Sequence, residues 1–170
     1  DNIANKKAHV STTAPEILEQ TKGKVDAFIC SVGTGGTLAG VAKGLRKFNP
    51  DIKIALADPM GSALHSFFST GELKSEGGSI SEGIGQGRIT KNLTGLSVDF
   101  SYQISDSAAL PLIYDLLYYE GLCVGLSSGI NMAGALCLAK DMGKGSTIVT
   151  ILCDSGLRYQ SKLFDCNFLA

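Results

Sequence analysis

Five residues whose types favour anion binding connect an apolar run to the first turn of a predicted helix: Gly33, Thr34, Gly35, Gly36 and Thr37. Three glycines allow the backbone to curl so that several N–H groups converge, and the threonine hydroxyls add donors. The unpaired amides and the positive dipole end of the following helix favour a negative charge. A phosphate group is therefore the ligand that this segment, the phosphate loop, predicts; a tight turn without a ligand is the alternative.

The phosphate loop differs from two common nucleotide-binding motifs. A dinucleotide fingerprint, G-x-G-x-x-G counted from Gly33, requires glycine at the position of Leu38, and no G-K-[S/T] of a P-loop follows. A Rossmann domain also requires an acidic residue after its second strand, where Asp58 is followed directly by Pro59. The pattern therefore argues against a Rossmann-type nucleotide-binding domain.

A second glycine-rich segment covers residues 82–88, in which Gly83, Gly85 and Gly87 alternate with other residues. Alternating glycines allow the backbone to approach a ligand closely. The segment belongs to a long, weakly periodic stretch, residues 71–96, and a loop of this length is usually functional or mobile. A ligand-contacting loop and a flexible surface loop are both compatible with this pattern.

Two serine-containing turns add further candidate positions. Ser127 and Ser128 lie in Gly-Leu-Ser-Ser-Gly, where a serine contacts a ligand or caps the next helix. Both roles fit if Ser127 faces the ligand and Ser128 is the cap. Asp154 and Ser155 follow an apolar strand and are therefore expected at the same sheet edge as the phosphate loop.

The remaining reactive side chains argue against metal and hydrolase sites. The two histidines, His9 and His65, have no ligand-like spacing, and neither is placed beside Asp154 and Ser155 as a Ser/His/Asp hydrolase requires. The five cysteines form no C-x-x-C pair, and three stand in apolar runs. This usage is typical of buried thiols in a reducing compartment.

Hydrophobic periodicity predicts alternating strands and helices. Strands are predicted over residues 25–32, 52–57, 102–105 and 146–152, and helices over residues 15–20, 36–48, 61–70, 106–120 and 130–142, with a final helical turn over residues 158–164. Thr12, Thr13 and Glu16 resemble a capping arrangement, Asp106 is the expected N-cap of its helix, and Pro111 should distort it. This order predicts an α/β three-layer sandwich with a mostly parallel sheet.

The composition excludes several classes of function. The 170 residues are 44 % apolar and 18 % charged, as expected for one globular domain, and the net charge is −1. A nearly neutral chain gives no electrostatic reason to bind nucleic acid or an anionic membrane. No apolar run approaches the roughly 20 residues of a membrane span.

Four motifs, taken in order, resemble those of cysteine synthase (O-acetylserine sulfhydrylase), a family of fold-type II enzymes that use pyridoxal 5′-phosphate. They are GTGGTLAG from Gly33, GIGQG from Gly83, GLSSG from Gly125 and DSGLRY from Asp154. The resemblance covers nearly the whole chain. It implies the large domain of a fold-type II enzyme and β-replacement of the acetate of O-acetylserine by sulfide, which gives L-cysteine.

The resemblance also implies roles for individual residues. The phosphate loop would hold the cofactor phosphate, and Ser127 would hydrogen-bond the pyridine nitrogen. Asp154 and Ser155 would lie near that edge of the ring, and Gly83 and Gly85 would line its substrate side in a loop that shifts when substrate binds. None of these residues would be catalytic. A neutral serine partner leaves the ring less electron-withdrawing than an aspartate would, which suits elimination of acetate.

The last motif departs from the commonest family pattern, because Cys153 stands where proline is usual and Leu157 where glutamate is usual. We interpret these changes as a branch of the cysteine synthases. They leave open a thiol other than sulfide as the second substrate, as in cystathionine β-synthase, and threonine dehydratase is a related alternative. A non-catalytic module that binds a phosphate or a partner protein is the alternative outside this class.

Members of the family are roughly twice as long as this chain. We therefore expect residues 1–170 to form a single cofactor-phosphate-binding domain, the C-terminal half of its parent. The other half would carry the lysine that holds the cofactor covalently, and Lys43, Lys91 and Lys140 do not stand in such a segment. The chain alone should then be inactive and should expose apolar surface. The parent is expected to be a cytoplasmic homodimer, or mitochondrial in a eukaryote.

Overall fold

A computed structural model describes residues 2–169, so the outermost positions of the predicted 1–170 domain, Asp1 and Ala170, lie outside the described residues. A four-stranded parallel sheet has the order β3-β2-β1-β4. Its strands are β1 (Ala27–Cys30), β2 (Lys53–Pro59), β3 (Phe100–Ile104) and β4 (Ile148–Val149).

Eight α-helices and two 3₁₀ segments join and cover the strands within residues 2–169. The helices are α1 (Ile3–Ser11), α2 (Thr13–Gln20), α3 (Gly36–Phe48), α4 (Leu64–Thr70), α5 (Asp106–Glu120), α6 (Leu126–Met142), α7 (Gln160–Leu163) and α8 (Cys166–Leu169). The 3₁₀ segments cover Lys91–Leu93 and Gly156–Tyr159.

The sheet is buried on both faces, which explains the apolar character of β1. Phe28 packs with α2 and α3 residues such as Ile17 and Leu38, whereas its neighbour Ile29 packs with Ile113 of α5 and Ile130 of α6. Successive strand residues point to opposite faces, so a strand covered on both sides reads as a continuous apolar run. The structure therefore confirms the predicted α/β three-layer sandwich.

Several predicted boundaries are wrong at the ends of elements. The predicted strand 146–152 is reduced to β4, and α6 begins at Leu126 rather than at residue 130. Gly125 is the N-cap of α6, so the expected Ser128 cap is wrong. The hydroxyl of Ser128 instead accepts a hydrogen bond from Cys153 N at 2.9 Å. The Ser128 hydroxyl thus binds the loop after β4 instead of capping α6 as the sequence pattern predicted.

Two other capping predictions fail for a similar reason. Thr12 stands at the N-cap position of α2, but its side chain makes no capping bond among the described residues, because its hydroxyl donates to Ala8 O of α1 at 2.8 Å. Ser105, not Asp106, caps α5, and the Asp106 carboxylate accepts instead from Ile80 N at 2.8 Å. Helix α5 continues through Pro111. The Thr12 and Asp106 side chains bind backbone groups outside the helices that they were expected to cap, and the sequence around each residue does not indicate these partners.

Asp58 is a buried carboxylate at the end of β2 with one partnered oxygen. Its Oδ2 accepts from His65 N at 2.7 Å, and its Oδ1 has no hydrogen-bond partner among the described residues. Burial raises the pKa of Asp58 above its ordinary value, and the bond from His65 N offsets part of this rise. Protonation of Asp58 therefore stabilises the folded state relative to the unfolded state. This stabilisation is present at low pH and is lost as the pH rises through the folded-state pKa of Asp58.

We expect Asp58→Asn to stabilise the fold at neutral pH, by about 1 kcal/mol, because it removes this buried charge. The gain should shrink between pH 7.5 and pH 4.5, because the raised pKa of Asp58 favours protonation of the native carboxyl as the pH falls. Urea unfolding of both proteins at pH 4.5 and 7.5 measures the difference. Asp51→Asn, at an exposed carboxylate, is the matched control and should show no such pH dependence. A gain for Asp58→Asn that is equal at both pH values would contradict the prediction.

Within the described part of the chain, no helix is both long and apolar enough to cross a lipid bilayer.

Candidate functional site

The sheet order creates a crevice at the carboxyl end of β1. The chain leaves β1 through the phosphate loop and α3 to reach β2 on one side, while β4 lies on the other side. In open parallel sheets, such a switch point is where ligands bind. Three of the four predicted motifs border a cleft of about 560 Å³ at this end of the sheet. It is lined by Glu82, Gly83, Ile84, Ser127, Cys153, Asp154, Arg158 and Tyr159.

The phosphate loop adjoins this cleft but does not line it. Gly35 has φ 81°, a left-handed conformation, and is the N-cap of α3 without a side-chain cap among the described residues. A Cβ added to Gly35 would lie 2.7 Å from Leu93 Cγ and 3.0 Å from the Thr90 hydroxyl oxygen. Glycine is thus required both for the backbone conformation and for the close packing behind the loop.

Polar side chains from other segments hold the phosphate loop from behind. Thr34 O accepts hydrogen bonds from Thr90 Oγ1 at 2.8 Å and from Asn92 Nδ2 at 3.1 Å. Asn5 Nδ2 donates to the Thr34 hydroxyl at 3.0 Å, and a ring nitrogen of His9 lies 3.2 Å from the Thr37 hydroxyl. These bonds fix the loop in one shape before any ligand arrives, which lowers the entropy cost of binding.

The glycine-rich loop with Gly83 and Gly85 rests directly on the phosphate loop. Gly85 N donates to Val32 O at 3.0 Å. A Cβ on Gly33 would lie only 2.4 Å from Gly83 O, so the absence of a side chain at Gly33 permits this contact. Both loop glycines have left-handed backbones, with φ 77° at Gly83 and 83° at Gly85. The contact joins the phosphate loop to the cleft wall.

Ser127 lies half-buried in the first turn of α6 and faces the cleft beside Cys153. Burial raises the pKa of the Cys153 thiol, and a hydrogen bond with Ser127 offsets part of that rise. The thiol is therefore neutral near pH 7. The cleft thus presents an uncharged hydroxyl and an uncharged thiol side by side, at the end of α6 that carries the positive dipole.

Asp154 lies in the cleft wall, but one of its oxygens is already used within its own turn. Oδ2 accepts from the Tyr159 hydroxyl at 2.6 Å, and an Arg158 nitrogen lies 3.8 Å away. The hydrogen bond with Asp154 raises the pKa of Tyr159, with burial as the second cause. The other carboxylate oxygen of Asp154, Oδ1, is buried and is not hydrogen-bonded within the described residues.

Ser155 serves the local turn. Its hydroxyl accepts from Leu157 N at 3.3 Å, which caps the following 3₁₀ segment, and the residue itself is exposed. Ser155 does not line the cleft. The structure thus brings Gly83, Ser127 and Asp154 together, with the phosphate loop next to them, and turns the Ser155 hydroxyl to a capping role.

Comparison with known proteins identifies the family. Residues 1–154 match the model of the family described as pyridoxal-phosphate dependent enzyme. This chain belongs to that family. The match confirms the expected cofactor, pyridoxal 5′-phosphate, and the resemblance to the cysteine synthases is confirmed by individual relatives.

The chain is 51 % identical over 174 residues to cysteine synthase 1 of Neurospora crassa, an alignment that covers 99 % of this chain and 46 % of the relative. It is 41 % identical to a putative mitochondrial cysteine synthase of Saccharomyces cerevisiae, over 96 % of this chain and 45 % of the relative. An O-acetylserine dependent cystathionine beta-synthase from Helicobacter pylori superposes with a TM-score of 0.86 at 33 % identity, over 95 % of this chain and 51 % of that structure. The chain spans about half the length of the curated relatives it matches.

The residues present fit pyridoxal phosphate. A left-handed glycine at the start of α3, backed by buried donors, suits the phosphate end. The uncharged Ser127 hydroxyl at the cleft is a polar group suited to the ring end, and Asp154 lies in the wall of the same cleft. The individual assignments of phosphate loop, Ser127, Asp154, Ser155, Gly83 and Gly85 to parts of the cofactor remain predictions.

Sequence reasoning missed the side chains that support the phosphate loop from other segments: Asn5, His9, Thr90 and Asn92. Thr90 and Asn92 are buried, and their partner Thr34 is more than fifty residues away. No motif marks them. The one available signal is that buried polar residues in a loop require partners. Among residues 2–169, no group of three His, Cys, Asp or Glu side chains could hold a metal ion.

Proposed function

We propose that this chain is the cofactor-phosphate half of a cysteine synthase, which replaces the acetate of O-acetylserine by sulfide to form L-cysteine. The observation that carries this proposal is the 51 % identity, over 99 % of the chain, to cysteine synthase 1 of Neurospora crassa. The arrangement of Gly83, Ser127 and Asp154 around one cleft beside the phosphate loop supports it.

Different residues of this chain would bind the phosphate, the ring and the substrate. The phosphate loop binds the cofactor phosphate through its amides and the Thr37 hydroxyl, with the dipole of α3 behind it. Ser127 hydrogen-bonds the ring nitrogen, and the loop with Gly83 and Gly85 orients the substrate against the ring. When bound, pyridoxal phosphate supplies an electron sink for loss of the leaving group.

The neutral character of the cleft supports elimination rather than chemistry that needs a strongly charged ring. Ser127 carries no charge, and Oδ2 of Asp154 is held by Tyr159. Glu82, at the cleft rim, is paired with Lys162. The ionised groups nearest the cleft are thus largely compensated, and the proton on the ring nitrogen gains little from them.

The test is to express the full-length parent protein and to measure cysteine formation from O-acetylserine and sulfide. We expect cysteine to form, with a change of cofactor absorbance when O-acetylserine is added. Ser127→Ala should lower the rate, whereas Ser161→Ala, at an exposed serine of α7, should not. Absence of both the absorbance change and the product in a cofactor-loaded protein would refute the proposal.

A second candidate is a β-replacement that uses a larger thiol. The superposition on an O-acetylserine dependent cystathionine beta-synthase, with a TM-score of 0.86, favours it. Homocysteine offered in place of sulfide distinguishes the two: the proposed function predicts the higher kcat/KM with sulfide.

The proposal includes a homodimeric, cytoplasmic parent. The exposed aromatic pair Tyr118 and Tyr119, residues that are 82 % and 73 % accessible at the end of α5, supports association. Exposed aromatic clusters of this kind are enriched at protein interfaces. Sedimentation velocity of the full-length protein tests the dimer, and fractionation of cells tests the compartment.

A further inference from the structure

Strands β1 and β4 separate just before they reach the site. They pair only at Ala27 with Ile148 and at Phe28 with Val149, whereas β1 pairs with β2 along all four of its residues. At the start of the pair, Ala27 N donates to Thr147 O at 3.2 Å. The same register, continued to the end of β1, would bring Ser31 N to Ile151 O.

The side-chain amide of Asn131 takes the place of that backbone bond. Ser31 N donates to Asn131 Oδ1 at 2.7 Å, and Asn131 Nδ2 donates to Ile151 O at 2.8 Å. Asn131 is fully buried. The amide therefore lies between two strand ends like an inserted peptide group. The Asn131 amide provides hydrogen-bond partners for Ser31 N and Ile151 O. Because it lies between them, the two strand ends are further apart, by the width of one amide group, than a backbone hydrogen bond between them would place them.

Neighbouring side chains extend the same opening. The Thr150 hydroxyl donates to Ile29 O at 2.8 Å, which again replaces a backbone donor by a side chain. On the same face of α6 as Asn131, the Ser128 hydroxyl accepts from Cys153 N at 2.9 Å. The turn of α6 that presents Ser127 to the cleft thus also fixes the path of the chain beyond β4.

The two strand ends held apart by Asn131 lead to different parts of the site. Ser31 is followed directly by Val32 and the phosphate loop, and Ile151 is followed by Cys153 and Asp154 of the cleft wall. A change in the strand separation must therefore change the distance between the phosphate loop and the cleft wall.

We propose that Asn131 is a positioning residue that sets the spacing between the phosphate-binding and ring-binding parts of the site. This inference rests on the proposed function, because it concerns a ligand that spans both parts. Asn131 makes its contacts to backbone and to the Cys153 thiol, at 3.5 Å, and acts through them. The ligand class is a phosphorylated aromatic ring, whose phosphate and ring must contact the two parts of the site simultaneously.

The test compares a ligand that spans the site with one that does not. Pyridoxine 5′-phosphate needs both parts and no lysine, whereas inorganic phosphate needs only the phosphate loop. In Asn131→Ala, we expect calorimetry to show an affinity for pyridoxine 5′-phosphate at least about tenfold lower, because misplacement by an ångström is costly. The affinity for inorganic phosphate should stay within about twofold, since the loop's own supports are intact.

Asn92→Ala is the contrasting variant, because it removes another buried asparagine that supports the loop itself through Thr34 O. It should weaken both ligands. Asn131→Gln keeps the amide but lengthens the side chain by one methylene, so it should bind inorganic phosphate normally and still lose affinity for the spanning ligand. Equal loss of both ligands in folded Asn131→Ala, or full recovery in Asn131→Gln, would overturn the positioning role.

Amide hydrogen exchange measures the opening without any ligand. In Asn131→Ala or Asn131→Gln, exchange at Ser31 N should change, whereas exchange at Cys30 N, within the part of β1 paired with β2, should not. Unchanged exchange at Ser31 in both variants would overturn the inference on its own. Failure of the proposed function would appear elsewhere, as a wild-type chain that binds pyridoxine 5′-phosphate no better than inorganic phosphate.

Discussion

Gly35→Ala is expected to abolish phosphate binding by this chain and to lower its free energy of unfolding by about 2–4 kcal/mol. A left-handed backbone, φ 81°, is costly for alanine, by about 1–2 kcal/mol. In addition, the new Cβ would lie 2.7 Å from Leu93 Cγ and 3.0 Å from Thr90 Oγ1, inside the packed support of the loop. The backbone must move, and the amides that we propose bind the phosphate would move with it.

Gly71→Ala separates the two costs. Gly71 has a similar backbone, φ 85°, but a Cβ there would meet no described atom within 4 Å. This control should therefore show only the conformational cost, about 1 kcal/mol, and normal phosphate affinity. Urea unfolding and phosphate titration followed by ³¹P NMR provide the two measurements. If Gly35→Ala costs no more than Gly71→Ala and still binds phosphate, the loop does not work as we describe.

Gly33→Ala is the second change with a large expected effect, and it acts on the contact between the two glycine-rich loops. Its Cβ would lie 2.4 Å from Gly83 O, well inside the contact distance of a carbon and a carbonyl oxygen, so the loop with Gly83 must be displaced. We expect affinity for pyridoxine 5′-phosphate to fall by at least about tenfold, since the cleft wall shifts with the loop. Limited proteolysis within residues 71–88 should also become faster.

Gly87→Ala in the same loop is the matched control, because a Cβ at Gly87 would have no described atom within 4 Å. It should leave both the affinity and the cleavage rate near those of the wild type. Equal behaviour of Gly33→Ala and Gly87→Ala would show that the two loops do not depend on their contact.

Helix α3 shows what local sequence can predict. Its bounds, Gly36–Phe48, are those expected from the glycines before it and from Asn49 and Pro50 after it. The apolar runs of β1 and β2 similarly predicted a sheet buried on both faces, which is confirmed by the packing of Phe28 and Ile29 on opposite sides. These features are encoded by neighbours in the chain, so a single sequence is sufficient.

Helix α1 and the short β4 show where local sequence fails. No residue of α1 is buried among those described, so no apolar stripe announces the helix. The residues after Val149 have strong strand preference, but Asn131 of another element takes the hydrogen bonds that would extend the strand. Tertiary partners override propensity in this case.

The candidate site divides in the same way. The family resemblance implied that Gly83, Ser127 and Asp154 surround one ligand, and these residues line one cleft. The sequence did not predict that Tyr159 occupies one oxygen of Asp154, or that His9 contacts Thr37. Those contacts depend on the angle of a turn and on a helix that periodicity does not reveal.

The hydrogen bond from Gly85 N to Val32 O joins the two sides of the site, since Val32 is the residue directly before the phosphate loop. Under the proposed function, a substrate that draws the Gly83–Gly85 loop toward itself would strain this bond, so the two sides would be thermodynamically linked. By reciprocity, whatever factor an occupied phosphate loop applies to substrate affinity, the substrate applies to phosphate affinity. Retention of the cofactor should therefore depend on substrate concentration.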